Sequence, residues 1–219
     1  MSITPAAPTP RRDFLAGIAT AAAAVGISSA FTGEAAAQPV AADPKLDAWF
    51  ARIKGTHRQI FDAPEPNSGM PAIWPRVYLN SMKATYGATG GGTAVVILRH
   101  GGLPLAFQDS VWAKYKLGEQ FDIMDGDKPA LRNPYANITN LPIPGLGIAA
   151  LLSDGVLVGA CDVALTVYSS QAAGKMSMTP EAVKAEWIAG LLPGVQVVPS
   201  GVMAVGRAQE LRCTYCFAG

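Results

Sequence analysis

Few ionisable or metal-binding side chains occur in this chain of 219 residues. It contains three cysteines and two histidines, only 15% of its residues are charged, and the formal net charge is +1. Three cysteines are too few for a disulfide-rich scaffold. The balanced charge, with no basic stripe or acidic tail, argues against nucleic acid as a partner. The hydrophobic content of 50% suits one compact domain with appendages.

The first 37 residues contain the parts of an export signal in the expected order. Arg11-Arg12-Asp13-Phe14-Leu15 matches the twin-arginine pattern, and a weakly apolar run of Ala and Gly follows. Ala35-Ala36-Ala37 then provides a small-residue cleavage site. An uncleaved membrane anchor is the alternative, but the run is short and poorly apolar for that role. We therefore expect cleavage after residue 37 and a mature protein in the periplasm, away from the membrane.

Short apolar runs alternate with helical patterns from residue 57 to residue 219. The clearest strand, residues 93–98, is continuous and rich in β-branched side chains, as in a central parallel strand. Thr179 and Ser200 are typical residues before a helix start. Residues 38–56 are interpreted as a linker and lead-in helix, and 117–144 as a loop-rich segment. The alternation predicts a five-stranded, mostly parallel sheet covered on both faces.

Cys161 lies where a predicted buried strand changes into a predicted helix. Residues 156–158 are apolar, and apolar side chains recur at helical spacing after Asp162. Ligands bind at this carboxyl edge in open α/β sheets, and the helix dipole there favours a thiolate. The carboxylate of Asp162 opposes the thiolate. Cys161 is thus a candidate nucleophile, and the alternative is a structural cysteine that fills the end of the strand.

Three segments resemble the DsrE/DsrF-like family of sulfur-handling proteins. They are residues 93–98, Gly155-Val-Leu-Val-Gly-Ala-Cys161, and residues 195–209 with a valine strand, a Pro-Ser-Gly turn and a helix. The resemblance covers about residues 57–217. It implies a three-layer α/β/α sandwich, assembly into homo-trimers or homo-hexamers, and a cysteine persulfide at the end of the third strand. Cys161 occupies the matching place.

Arg99 and His100 follow the predicted central strand, so we expect them at the same edge of the sheet as Cys161. A positive Arg99 could hold an anionic sulfur species or stabilise the Cys161 thiolate. His100 could transfer a proton near neutral pH. The alternative is that both are polar residues at an exposed strand end.

Cys213 and Cys216 form a CxxC pair near the C-terminus. In an oxidising compartment the pair could be a structural disulfide or a redox couple, and a single CxxC is a weak signal for a metal site. Positions i and i+3 of a regular strand point to opposite faces, so a bridge needs a turn or bulge there. The three interpretations stay open on the sequence.

These features predict a periplasmic protein that binds or relays sulfur through Cys161, as a sulfurtransferase or sulfur carrier. Its partners would be sulfur donor or acceptor proteins, and we expect no cofactor. A non-enzymatic oligomeric protein that binds a small ligand or a metal in the same cleft is the alternative.

Overall fold

The computed structural model describes residues 43–87 and 91–219. The predicted export signal and the first part of the predicted linker lie outside the described residues. The predicted lead-in helix is present as α1 (Pro44–Phe50), which begins after the N-cap residue Asp43.

A five-stranded sheet, parallel throughout, forms the centre of the fold. Its strands are β1 (His57–Ala63), β2 (Gly92–Leu98), β5 (Leu157–Cys161), β6 (Gln196–Val198) and β7 (Thr214–Phe217). Their spatial order is β6-β5-β2-β1-β7, so β2 is the central strand, as predicted. Two short strands, β3 (Met124–Asp125) and β4 (Lys128–Pro129), form a separate antiparallel pair.

Helices cover both faces of the sheet and bury two separate hydrophobic clusters. One face carries α2 (Met70–Tyr86), α3 (Asp109–Tyr115), α4 (Leu117–Gln120), α5 (Ile148–Ser153), α6 (Asp162–Met176) and α7 (Pro180–Ala189). The other face carries α1 and α8 (Gly201–Glu210). The predicted three-layer α/β/α sandwich is thus confirmed. None of the described helices is long and apolar enough to cross a membrane.

After β2, the sequence predicts a short helix over roughly residues 105–116, and the structure differs from this prediction. A 3-10 helix, His100–Ala106, comes first, and α3 begins only at Asp109. Phe107 forms an isolated antiparallel bridge with Leu191, so its backbone is extended and cannot start a helix. A long-range pairing therefore shortened the helix.

Residues 117–144 are mostly irregular, as predicted, but the segment is anchored to the core through Asn133. The buried side-chain amide of Asn133 donates to the carbonyl oxygens of Leu105 (3.0 Å) and Phe107 (2.8 Å). Its backbone N–H donates to the Asp109 carboxylate at 2.9 Å. These bonds satisfy buried polar groups and fix the segment as a cover over one face.

The connections that leave β5 and β6 turn to opposite faces of the sheet. β5 leads into α6 on one face, and its neighbour β6 leads into α8 on the other. At the carboxyl ends of these two strands, the first turns of α6 and α8 therefore lie on opposite sides of the sheet, and the space between them is called the crevice below. Ligands bind at this edge of open α/β sheets. Cys161 is the last residue of β5 and therefore lies at this crevice.

Candidate functional site

The sulfur of Cys161 lies between the first turns of two helices. Its Sγ accepts hydrogen bonds from the Gly201 N–H of α8 at 3.1 Å and from the Ala164 N–H of α6 at 3.4 Å. Both donors belong to positive helix ends, which favour negative charge on the sulfur. The residue is 6% exposed, so only part of it is accessible. The arrangement suits a thiolate or persulfide that reacts with small donors.

Asp162 opposes a thiolate at Cys161 less than the sequence indicated, because the carboxylate of Asp162 is paired with the ammonium of Lys184. Lys184 Nζ of α7 lies 2.7 Å from one carboxylate oxygen of Asp162 and 2.9 Å from the other. The same ammonium donates to the hydroxyl of Thr166 at 2.9 Å. The negative charge beside Cys161 is therefore largely offset by Lys184.

Arg99 extends from the end of β2 into a partly buried ion pair with Asp62 of β1. Its Nε donates to one Asp62 oxygen at 2.7 Å, and its Nη2 donates to the other at 2.9 Å. The hydroxyl of Tyr215 on β7 donates to the same carboxylate at 2.9 Å. The pKa of Arg99 is raised, chiefly by the hydrogen bond to Asp62 and in smallest part by charge on Cys161. Burial, followed by the hydrogen bond to Asp62, raises the pKa of Tyr215.

The aliphatic part of Arg99 packs against Gly201. A side-chain carbon at position 201 would lie 2.6 Å from Arg99 Cβ and 2.8 Å from its Cδ, so glycine permits this contact. Gly201 also supplies the N–H that binds Cys161. The structure thus brings Arg99 and Cys161 to the same crevice, as the sequence predicted.

His100 makes its described contacts on the opposite face of the sheet. The backbone at Arg99 is extended, so successive side chains there point to opposite faces. His100 Nδ1 accepts from the Gly101 N–H at 2.7 Å and lies 3.3 Å from Glu65 Oε1. Its ring meets Tyr168 of α6 edge-on, at 6.0 Å between centroids. Arg99 and His100 are therefore parts of two different clusters.

Glu65 and Tyr168 make the surroundings of His100 polar on one side and aromatic on the other. Burial, and then the charge of Glu65, raise the pKa of Tyr168, so its phenol stays protonated. The backbone of His100 has φ +48°, a left-handed conformation that costs energy outside glycine. The turn is held in place because Gly102 donates to the carbonyls of Pro64 and Arg99.

The two C-terminal cysteines lie on opposite faces of the sheet as free thiols. Cys213 is buried beneath α8, while Cys216 packs against the other hydrophobic cluster. Cys216 lies within β7 and Cys213 directly precedes it, and the two thiols form no bridge as placed. The disulfide and redox-couple interpretations stay predictions. Burial raises the pKa of both thiols and disfavours their thiolates. The described residues also contain no group of three or more His, Cys, Asp or Glu side chains placed to hold a metal.

Sequence reasoning did not identify Asp62, Tyr215, Gly201 or Glu65. The sequence does contain a signal for Asp62, because this residue lies among the apolar residues Ile60, Phe61 and Ala63 of one strand. A carboxylate buried in such a strand requires a partner. The partners of Asp62 belong to other strands, so the sequence around it contains no trace of them.

Comparisons with known proteins identify no family for this chain. No family model matches the chain, and no curated protein matches it. Among solved structures, a protein of unknown function from Methanobacterium thermoautotrophicum is similar, with a TM-score of 0.41 and 17% sequence identity. The match covers 74% of this chain and 99% of that chain.

Proposed function

We propose that the protein binds or relays sulfur as a persulfide on Cys161, as a sulfurtransferase or sulfur carrier of the DsrE/DsrF-like type. The observation that carries the proposal is the position of Cys161 Sγ, 3.1 Å and 3.4 Å from two N–H groups in first helical turns. These donors stabilise negative charge on the sulfur without a neighbouring base. Arg99, whose aliphatic carbons pack against Gly201, adds the positive charge of its guanidinium to the same crevice.

The chemistry is written most simply for thiosulfate as the donor. The Cys161 thiolate attacks the outer sulfur of thiosulfate and forms a new S–S bond. The S–S bond of the donor breaks, and sulfite leaves with the electron pair. The outer sulfur of the Cys161 persulfide carries the remaining negative charge. An acceptor thiolate that attacks this outer sulfur takes it over and regenerates the Cys161 thiolate.

Sulfur loading of Cys161 is the direct test of this proposal. We expect mature protein incubated with thiosulfate or inorganic polysulfide to gain the mass of one sulfur atom, removable by dithiothreitol. Peptide mapping should place the gain on Cys161, because burial disfavours the thiolates of Cys213 and Cys216. The measurement is intact-protein mass spectrometry followed by mapping without reductant.

Two serine variants serve as matched controls for sulfur loading. Cys161→Ser should lose the added sulfur and keep its fold, since the two side chains are close in size, while Cys216→Ser should still load. A chain whose Cys161 stays unmodified until it is denatured would contradict the proposal. An inert Cys161 together with a co-purified small ligand would instead support the alternative of a binding protein.

We also propose that the mature chain acts in the periplasm after twin-arginine export. The combined change Arg11→Lys and Arg12→Lys should leave full-length precursor in the cytoplasm, because the arginine pair is what the export receptor reads. Arg52→Lys, at an exposed position of the mature chain, is the matched control and should be exported normally. Immunoblots of cell fractions measure this, and normal export of the double variant would refute the assignment. The expected assembly into trimers or hexamers stays a prediction.

A further inference from the structure

We infer that Asp62 and Tyr215 are positioning residues, which hold the guanidinium of Arg99 beside Cys161 and thereby make the crevice select anionic sulfur donors. The inference deepens the proposed function and rests on it. It concerns residues on three different strands, which meet only in the folded sheet: β1 carries Asp62, β2 leads into Arg99, and β7 carries Tyr215.

Asp62 fixes both the place and the plane of the guanidinium. Its two oxygens accept from Arg99 Nε at 2.7 Å, from Arg99 Nη2 at 2.9 Å and from the Tyr215 hydroxyl at 2.9 Å. A bidentate pair of this kind restrains a planar guanidinium in a way that a single contact does not. The hydrogen bond from Tyr215 restrains the carboxylate in turn. Asp62 is only 3% exposed, so water competes little for these bonds.

The ion pair of Asp62 and Arg99 presents its positive group, the guanidinium, to the crevice. The Asp62 side chain is 5% exposed, whereas that of Arg99 is 27% exposed, so the carboxylate lies behind the guanidinium. With Nε and Nη2 bound to Asp62, Nη1 remains, and no bond to it is found within the described ranges. The nearby Asp162 is already paired with Lys184. An anion that enters the crevice therefore meets Nη1 of Arg99 and the positive ends of α6 and α8.

Two thiol reagents of similar size test this charge directly, because iodoacetate is an anion and iodoacetamide is neutral. The readout is the ratio of their alkylation rates at Cys161, measured by timed labelling of the mature protein and peptide mapping. Arg99→Gln should lower the ratio roughly threefold, the order of effect expected when one nearby unit charge is removed in a water-like dielectric. Arg99→Lys should lower it less, because the charge remains but the bidentate fork is lost.

Asp62→Asn distinguishes a positioning role of Asp62 from a role as a simple counterion, because the two roles predict opposite changes in the ratio of alkylation rates. If Asp62 positions Arg99, its loss releases the guanidinium, and the ratio should fall although a negative charge has been removed. If Asp62 were only a counterion, the ratio would rise. Tyr215→Phe should also lower the ratio, by a smaller factor. Asp154→Asn, which breaks the separate ion pair of Arg76 with Asp154, is the matched control and should leave the ratio unchanged.

A ratio that rises or stays constant in Asp62→Asn overturns the inference. If circular dichroism shows that Asp62→Asn does not fold, Tyr215→Phe provides the test instead. An unchanged ratio of alkylation rates in Tyr215→Phe then overturns the inference. Sulfur loading is not part of this measurement. If the ratio responds as expected but the protein takes up no sulfur, only the proposed function is refuted, and the positioning of Arg99 stands. Failure of both reagents to reach Cys161 in the folded protein refutes both.

Discussion

Replacing Gly102 with alanine is expected to destabilise the folded protein by roughly 3 kcal/mol, at the upper end of what overpacking costs. A side-chain carbon at position 102 would overlap the carbonyl oxygen of Ala63 and lie 3.1 Å from its carbonyl carbon. Both are backbone atoms at the end of β1, so they cannot move away without distorting the sheet. The carbonyl oxygen of Ala63 also accepts the N–H of Arg99. A distortion there would displace Arg99, so the change should also slow the alkylation of Cys161. Urea denaturation measures the loss of stability.

Gly101→Ala is the matched control, because the two glycines are neighbours and neither has positive φ. A side-chain carbon at position 101 would meet Glu65 Oε2, the far end of a flexible side chain that is 49% exposed. That carboxylate can rotate aside, so we expect a cost below about 1 kcal/mol. Equal losses in the two variants would show that the turn after Arg99 adjusts freely, contrary to the close packing inferred here.

Trp187→Ala should cost about 3–5 kcal/mol of folding free energy, the range for removal of a large buried aromatic side chain. Trp187 of α7 is fully buried and meets two rings edge-on, Phe107 at 5.1 Å and Tyr115 at 5.7 Å. The indole therefore joins α7 to the segment that follows β2. Thermal and urea denaturation of the variant measure the effect, and the midpoint should fall in both.

Trp74→Ala removes the same side chain from α2, where it is 36% exposed. Less apolar surface returns to water and no closed cavity remains, so we expect about 1 kcal/mol or less. A comparable loss in the two tryptophan variants would mean that the cluster around Trp187 collapses to fill the cavity. The comparison thus measures how tightly α7 packs on the sheet.

The sequence by itself determined the main elements, because their signals are local. The β-branched run over residues 93–98 became the central strand, and the predicted helix starts have the expected caps. The Thr179 hydroxyl accepts the Ala182 N–H at 3.2 Å, and the Ser200 hydroxyl accepts the Met203 N–H at 3.4 Å. Each signal involves residues within one turn or one strand, so it can be recognised without knowledge of the fold. The place of Cys161, at a change from strand to helix, was recognisable for the same reason.

Only the tertiary structure decided which side chains share the crevice. Cys161 binds an N–H that lies 40 residues further along the chain, in Gly201, and Arg99 pairs with Asp62, 37 residues before it. Such contacts depend on the order of the strands in the sheet and on the face along which each connecting segment runs. The short-range periodicity of the sequence gives no information about either. The same reason separates Arg99 from His100 and Cys213 from Cys216. The alternation of a strand predicts that such residues point apart, but only the assembled layers determine what each of them meets.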